Sequence, residues 1–274
     1  MVKVSIIIIN YNTYQLTYNC IQSIYDKCHG LDYEIILVDN ASTECNPDVF
    51  LEKFPNIVLV KSVENVGFSK GNNLGIEKAI GQYILLLNSD TVLVNDAVSI
   101  CYEYLHSHAK VGVVTTKLIF PDGRIQSTCQ RFPNVVYNLL ELFRIQKFLP
   151  KLGAQLLLAG FFDYKSVAKV DWTWGAFFMF PKNVLTQLPN HHLHDDFFMY
   201  CEDLKWCFDI HKAGYEIHYI PEGEVIHYMG ASGGAKKPLM IKNHHTFMNE
   251  NFNWLHRSLI YFSEWLLKVT SRAN

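Results

Sequence analysis

No two cysteines in this 274-residue chain are spaced C-x-x-C, and no apolar run is long enough to span a bilayer. The seven cysteines are odd in number, so they read as free thiols in a reducing compartment rather than as a disulfide framework. A secretory signal is also missing. Met1-Val2-Lys3 leads straight into the short run 4–9, with no small-residue cleavage site. Positive charge is not in excess, with 24 Lys and Arg against 26 Asp and Glu and a net charge of −2, which excludes a general nucleic-acid binder. There is no internal repeat and no low-complexity segment. What is present is apolar: 49% of residues are hydrophobic and 14% aromatic, enough for a large core in one α/β domain or two small ones.

The first half alternates strand and helix. Residues 4–9, 33–38, 57–61 and 83–87 are predicted strands, and 17–25, 47–54, 69–79 and 96–107 predicted helices. Repeated β-α units of this length imply a parallel sheet with right-handed crossovers. Ligands of such sheets bind beyond the carboxyl ends of the strands. Three polar clusters stand there: Asn10-Tyr11-Asn12, Asp39-Asn40-Ala41-Ser42 and Asn88-Ser89-Asp90. The second half is less regular. It is read as a strand over 112–120, a turn at Pro121-Asp122-Gly123 and, over 134–165, a mobile helix or loop lying over the site. A strand pair follows over 170–180, broken at Gly175, then a helix over 197–213. Strands 215–220 and 224–228 are joined by Pro221-Glu222-Gly223, and the tail, 236–274, is helical.

Four segments carry chemical groups. In an extended chain Asn88 and Asp90 point the same way and offer two oxygen donors, which suits Mg²⁺ or Mn²⁺; the same tripeptide also reads as a polar turn. Asp195-Asp196 and Glu202-Asp203 set carboxylates among aromatics, where a raised pKa suits a general base, or they mark the start of a helix. His227, at a strand end before a small-residue loop, reads as a metal ligand or a structural histidine. Residues 65–75 open a helix with three glycines, whose amides face a diphosphate or whose glycines allow close packing. His191, His192, His194, His244 and His245 lack zinc spacing and read as surface or loop residues.

Taken in order, these segments resemble the inverting nucleotide-sugar glycosyltransferases of family 2, and among them the rhamnosyltransferase-like bacterial enzymes. The resemblance runs through Ser-Ile-Ile-Ile-Ile-Asn-Tyr-Asn (5–12), Val-Asp-Asn-Ala-Ser (38–42), Asn-Val-Gly-Phe and Asn-Asn-Leu-Gly (65–68, 72–75), and Leu-Asn-Ser-Asp-Thr (87–91). It continues through Pro-Asp-Gly (121–123), Trp-Gly-Ala (174–176), Tyr-Cys-Glu-Asp (200–203) and Val-Ile-His-Tyr-Met-Gly (225–230). It implies an α/β GT-A fold: a Rossmann-like, mostly parallel sheet flanked by helices, with a C-terminal helical extension. The catalytic domain would span 1–235, with a nucleotide-sugar half at 1–110 and an acceptor half at 111–235, and the extension 236–274.

The resemblance also implies roles. Asp39 contacts the base, with Asn10 and Asn12 in the same cleft and Asn65, Gly67 and Asn73 on the donor. Asn88-Ser89-Asp90 replaces the family's DXD motif, so Asp90 is the principal ligand of Mg²⁺ or Mn²⁺, and His227 approaches the metal or diphosphate. Asp203 is the base, and Trp174, Gly175, Ala176 and Glu202 lie between donor and acceptor. The chain departs from the family at Lys205 and Asp209, where the usual acid and arginine are reversed in sign, which still permits an i,i+4 ion pair. The implied activity is transfer of a sugar from a dTDP-rhamnose or UDP-hexose type of donor to a hydroxyl of a glycan or lipid-linked glycan. Bacterial surface polysaccharide synthesis is the implied setting, in the cytoplasm at the inner face of the plasma membrane. A nicotinamide oxidoreductase fails at Asn10-Tyr11-Asn12-Thr13, where it needs a glycine-rich loop. A non-catalytic sugar-binding scaffold is the remaining alternative. Residues 252–274 put large apolar groups on a helical stripe, which reads equally as a peripheral membrane contact or as packing on the core or a second subunit. The sequence does not assign the oligomeric state.

Overall fold

Ile6 and Ile8 face one hydrophobic cluster and Ile7 and Ile9 the other, so strand β1 (Val4–Asn10) is buried on both sides. That two-sided burial explains why its sequence is an apolar run rather than an alternation. The computed structural model describes residues 1–230 and 237–272. The chain continues through α1 (Tyr14–Lys27), β2 (Tyr33–Asp39), α2 (Val49–Lys53), β3 (Val58–Lys61), α3 (Gly67–Lys78) and β4 (Tyr83–Asn88). Strands β3-β2-β1-β4 are parallel neighbours in that order. β5 (Thr91–Leu93), α4 (Ala97–Ser107) and β6 (Val111–Ile119) follow, then three short helices, α5 (Val135–Leu142), α6 (Ile145–Phe148) and α7 (Pro150–Leu157). β7 (Ala168–Val170), β8 (Phe177–Pro181), α8 (Glu202–Lys212), β9 (Glu216–His227), α9 (Lys237–Asn251) and α10 (Trp254–Arg272) complete the chain.

Among the described residues, nine strands form one sheet. Its order is β3-β2-β1-β4-β8-β6-β9-β5, with β7 added on β9. β8 is antiparallel to both β4 and β6, and β6 runs parallel to β9. Helices cover both faces. α1 and α4 place Cys20, Ile21, Ile24, Val98 and Cys101 in the first cluster, and α3 and α8 place Ile76, Trp206, Cys207 and Ile210 in the second. This is the mostly parallel α/β architecture expected. A third cluster of Phe197, Leu204, Phe247, Met248 and Ile260 fastens α9 and α10 to α8. Each such buried side chain contributes about 1.5–3 kcal/mol. No helix among the described residues is long and apolar enough to cross a membrane.

Four local expectations change. The helix predicted over 197–213 begins at Glu202, because Tyr200 (φ 71°) and Cys201 (φ 70°) are left-handed and stop a helix from running through them. The two strands predicted at 215–220 and 224–228 are one strand, β9, with a register shift opposite Thr116 and Lys117. The strand pair at 170–180 is no hairpin: β7 pairs with β9, while β8 inserts between β4 and β6. Residues 134–165 hold three helices fastened to the body: Arg131 donates to Leu156 O (2.9 Å) and Gln155 O (2.6 Å) at the end of α7, and Asn138 donates to Ser263 Oγ (2.8 Å) on α10. The small-residue loop at 231–234 and the proposed boundary at 235 lie outside the described residues.

Candidate active site

A cavity of about 1190 Å³ opens at the carboxyl ends of β1, β2 and β4. Asn65, Gly67, Asn88, Ser89, Asp90, Trp174, Gly175, Ala176, Glu202, Asp203 and His227 all line it, so segments far apart in sequence meet there. Asn10, Asn12, Asp39 and Asn73 are not among its lining residues.

Asn10 and Asp39 instead form a buried brace. Asn10 Nδ2 donates to Asp39 Oδ1 (2.8 Å) and Ser42 Oγ (2.9 Å), and Asn10 Oδ1 accepts from Thr17 (2.8 Å) and Thr13 (3.1 Å). The Ser42 amide donates to Asp39 Oδ2 (3.1 Å). Asn12, left-handed at φ 54°, accepts from the amides of Thr43 (2.8 Å) and Glu44 (3.1 Å) and shapes the loop after β2. The wall above this brace is Tyr11, Thr13 and Asn40. Asn73 ties α3 to the 193–195 segment, donating to Leu193 O (2.8 Å), and lines a second cavity of about 880 Å³.

The start of α3 corrects one expectation. Three of the amides there are already taken by the protein. Val66 N donates to Asn40 Oδ1 (3.0 Å), Gly67 N to Asn65 Oδ1 (3.0 Å) and Phe68 N to Phe198 O (2.8 Å). Gly67 sits at φ +85°, and a Cβ there would run into Phe198 O. Glycine is therefore required by the close approach of the 197–198 backbone. Asn40, in the polar cluster after β2, organises this corner through bonds to Val66, Asn65 and Gly67.

Asn88 and Asp90 do not project from one extended strand. β4 ends at Asn88, and Ser89 and Asp90 form the turn into β5. The turn still brings oxygen donors to the cavity. Asn88 Oδ1 is buried with no hydrogen-bond partner, and Asp90 is only 5% exposed. His227 is set beside Asp90 by the ladder that pairs it with Thr91, and Tyr228 N donates to Asp90 O (2.9 Å). His227 Nε2 stands 3.4 Å from Asp90 Oδ1. One carboxylate, one imidazole and one amide oxygen, without a thiolate, suit Mg²⁺ or Mn²⁺. The buried, unpartnered Asn88 oxygen fits such an ion. Among the described residues no group of three or more His, Cys, Asp or Glu converges.

The acid pair opens α8. Leu204 N donates to Asp203 Oδ1 (2.8 Å). Burial pushes Asp203 up to about 6, against a downward pull from the amides of Leu204, Gly175 and Asp203 itself. Glu202 is driven well above the usual carboxylate range by burial and by the charge of Asp203, and its Oε2 has no hydrogen-bond partner. Lys205 and Asp209 form the expected i,i+4 pair with Nζ–Oδ distances of 2.5 and 2.6 Å, and neither lines the cavity.

At the far end of the cavity the 134–165 segment lies over the site as expected, but the part played by α9 and α10 was not legible in the sequence. Tyr137 and Glu141 of α5 and His244 of α9 line it, together with Tyr261, Glu264, Trp265 and Lys268 of α10. The α10 residues are spaced i, i+3, i+4, i+7 and so share one helix face. Ile260 and Ser263 are buried on α10 at 0% and 3% exposure. Burial raises the pKa of Glu141 and Glu264 and lowers that of His244.

The family model described as Glycosyl transferase family 2 matches residues 5–205. An N-acetylglucosaminyl-diphospho-decaprenol L-rhamnosyltransferase of Mycobacterium tuberculosis is 20% identical over 222 residues, 77% of this chain and 71% of its own. The rhamnosyltransferase WbbL of Escherichia coli K12 is 27% identical over 172 residues, covering 59% of this chain and 61% of its own. Among solved structures, GalNAc-T7 with UDP, GalNAc and Mn²⁺ superposes with a TM-score of 0.67 at 12% identity, over 91% of this chain and 48% of that one; at such identity the likeness concerns the fold.

Proposed function

The chain belongs to glycosyl transferase family 2, and from that premise we propose that it is an inverting, metal-dependent enzyme. It would move a sugar from a nucleoside-diphosphate donor, of the dTDP-rhamnose or UDP-hexose type, to a hydroxyl of a glycan acceptor in bacterial surface polysaccharide synthesis. One observation carries this reading: a single cavity holds oxygen and nitrogen donors on one wall (Asn88, Asp90, His227) and a raised carboxylate on another (Asp203).

Asp90, His227 and Asn88 would hold Mg²⁺ or Mn²⁺, which supplies positive charge beside the leaving diphosphate. The acceptor hydroxyl lies against Asp203, whose carboxylate takes its proton as the oxygen attacks the anomeric carbon. Attack comes from the face opposite the leaving group, so one displacement inverts the configuration without a covalent intermediate. Trp174-Gly175-Ala176 separates the two substrates. Glu202, its pKa raised by burial and by the charge of Asp203, stands at that boundary. Asn10, Asn12 and Asp39 brace the loop under the base.

On this reading residues 1–110 form the donor half and 111–235 the acceptor half, and the extension at 236–274 walls the acceptor end. The α10 face carrying Tyr261 and Trp265 with Glu264 offers rings and a carboxylate to a sugar. The acceptor would be lipid-linked, with the enzyme at the cytoplasmic face of the membrane.

The reading is tested by melting the protein with a panel of nucleotide sugars, with and without Mn²⁺, since a bound ligand raises the melting temperature by mass action. Donor hydrolysis is followed in the same samples. A donor should stabilise the protein only with Mn²⁺, and Asp90→Ala should abolish that gain and the hydrolysis while remaining folded. Full activity in excess EDTA sinks the metal-dependent mechanism. Stabilisation by a donor with no turnover points to the sugar-binding scaffold instead.

A further inference from the structure

Pro121-Asp122-Gly123 touches neither the acids nor the strand ends of the cavity, and its role lies in the residues that follow. After β6 ends, Gly123, at φ +83°, donates its amide to Phe120 O (2.9 Å). Asp122 holds Arg124 through the Arg124 amide (3.1 Å) and Nε (2.8 Å). The chain then doubles back: Ile125 bridges Ile119 in antiparallel fashion, and the Gln126 amide donates to Leu118 O (2.9 Å). This reversal delivers the Gln126 side chain, 1% exposed, to the end of β9.

There Gln126 makes two bonds to one residue. Its Nε2 donates to His227 O (2.7 Å), and its Oε1 lies 2.8 Å from His227 Nδ1. The first bond fixes which end of the amide is nitrogen, because a backbone carbonyl only accepts. The second must then be given by Nδ1–H, because an amide oxygen only accepts. In the neutral imidazole the lone pair then falls on Nε2, the nitrogen that stands 3.4 Å from Asp90 Oδ1. That separation exceeds the roughly 2.7–2.9 Å of a charge-assisted hydrogen bond.

We propose that Gln126 is a positioning residue that holds His227 as the Nδ1–H tautomer, so that Nε2 and Asp90 together receive a divalent cation. The ligand half of this proposal rests on the metal reading of the site; the tautomer half does not. An outer-shell partner of this kind fixes both the rotation of a ligating ring and the identity of its ligand atom.

Two variants test it. Gln126→Met keeps the length of the side chain and removes both bonds. Gln126→Glu keeps an acceptor for Nδ1–H. Each is checked for folding by circular dichroism, then titrated with Mn²⁺ alone by calorimetry at pH 8. The same metal-free proteins, labelled with ¹⁵N-histidine, report which ring nitrogen carries the proton, with the His227 signals identified by their loss in His227→Gln. The wild-type ring should carry its proton on Nδ1. Gln126→Met should lose that fixed pattern and bind Mn²⁺ ~10–100-fold more weakly, and Gln126→Glu should recover both. A wild-type ring protonated on Nε2 overturns the proposal, as does a Gln126→Met protein with unchanged tautomer and affinity. Should Gln126→Met not fold, the wild-type and Gln126→Glu spectra still decide the tautomer. If the wild-type protein binds no Mn²⁺, the metal reading and the ligand half fall together, and the spectra alone judge the tautomer half.

Discussion

Asp203 carries two opposed pH dependences. Burial lifts its pKa from near 4 to about 6, so its ionised form, the one able to accept a proton, is the form the fold disfavours. A carboxylate whose folded pKa is raised adds stability that is complete below the unfolded value and is lost as pH rises through the folded value. Activity follows the other direction and should fall as pH drops through about 6. Asp203→Asn should lower turnover by ~10²–10⁴-fold with donor binding retained, and its melting temperature should change less between pH 4 and 7 than that of the wild type. A comparable loss of turnover in Glu202→Gln but not in Asp203→Asn would move the base to Glu202. At this scale Asp90, Asp203 and His227, which line the cavity, stood out in the sequence because each ends an apolar or aromatic run where a charge is conspicuous. Gln126 was not legible, and Asn40 was legible only as part of a polar cluster. Each is an ordinary polar residue whose meaning comes from a partner 101 residues away in one case and from the backbone 26 residues away in the other.

Elements were legible where local physics decides them. β1, β2, β3 and β4 are short apolar runs between helices of clear periodicity, and all lie within two residues of their expected bounds. Errors arose where a distant segment overrides the local pattern. β8 reaches its place between β4 and β6 through pairings that no neighbouring residue announces. Phe197-Phe198-Met199 reads as a helical start, yet Phe198 O is held by the Phe68 amide (2.8 Å) on α3. The junction of α3 with this segment is correspondingly sensitive. Gly67→Ala puts a methyl group against Phe198 O and a side chain at φ +85°. It should destabilise the protein by about 2–4 kcal/mol, read as a lower urea midpoint with an unchanged slope. A shift within 0.5 kcal/mol would mean that the 197–198 backbone yields freely.

For the whole molecule the open matter is the outward side of the C-terminal helices. α10 turns Tyr261, Glu264, Trp265 and Lys268 to the cavity and packs against α5, so contact with the body accounts for part of its apolar stripe. Trp254, Leu255, Leu259 and Phe262 remain exposed, and Phe143, Phe148 and Leu152 are exposed on and beside the short helices that also carry Arg144, Lys147 and Lys151. Aromatic and aliphatic groups among basic ones suit an anionic lipid surface. The protein should float with anionic liposomes and not with neutral ones, and exchange of Trp254, Leu255 and Phe262 for serine should abolish flotation while donor hydrolysis persists. A protein that stays in the soluble fraction, or whose exposed stripe is covered by a second copy in sedimentation, counts against the membrane contact.

β9 also changes faces along its length. Ile217 and Tyr219 bury in one cluster, and Val225, beyond the register shift, buries in the other. Between Ile220 and Glu224 three residues intervene where β6 steps directly from Thr116 to Lys117. Because side chains alternate strictly along a strand, that odd number is a parity operation. It decides whether His227 looks toward Asp90 or away from it. Insertions and deletions at 221–223 are therefore graded by whether their length is odd or even before they are graded by size: losing one residue inverts every side chain to the end of the strand, and losing two leaves their facing intact.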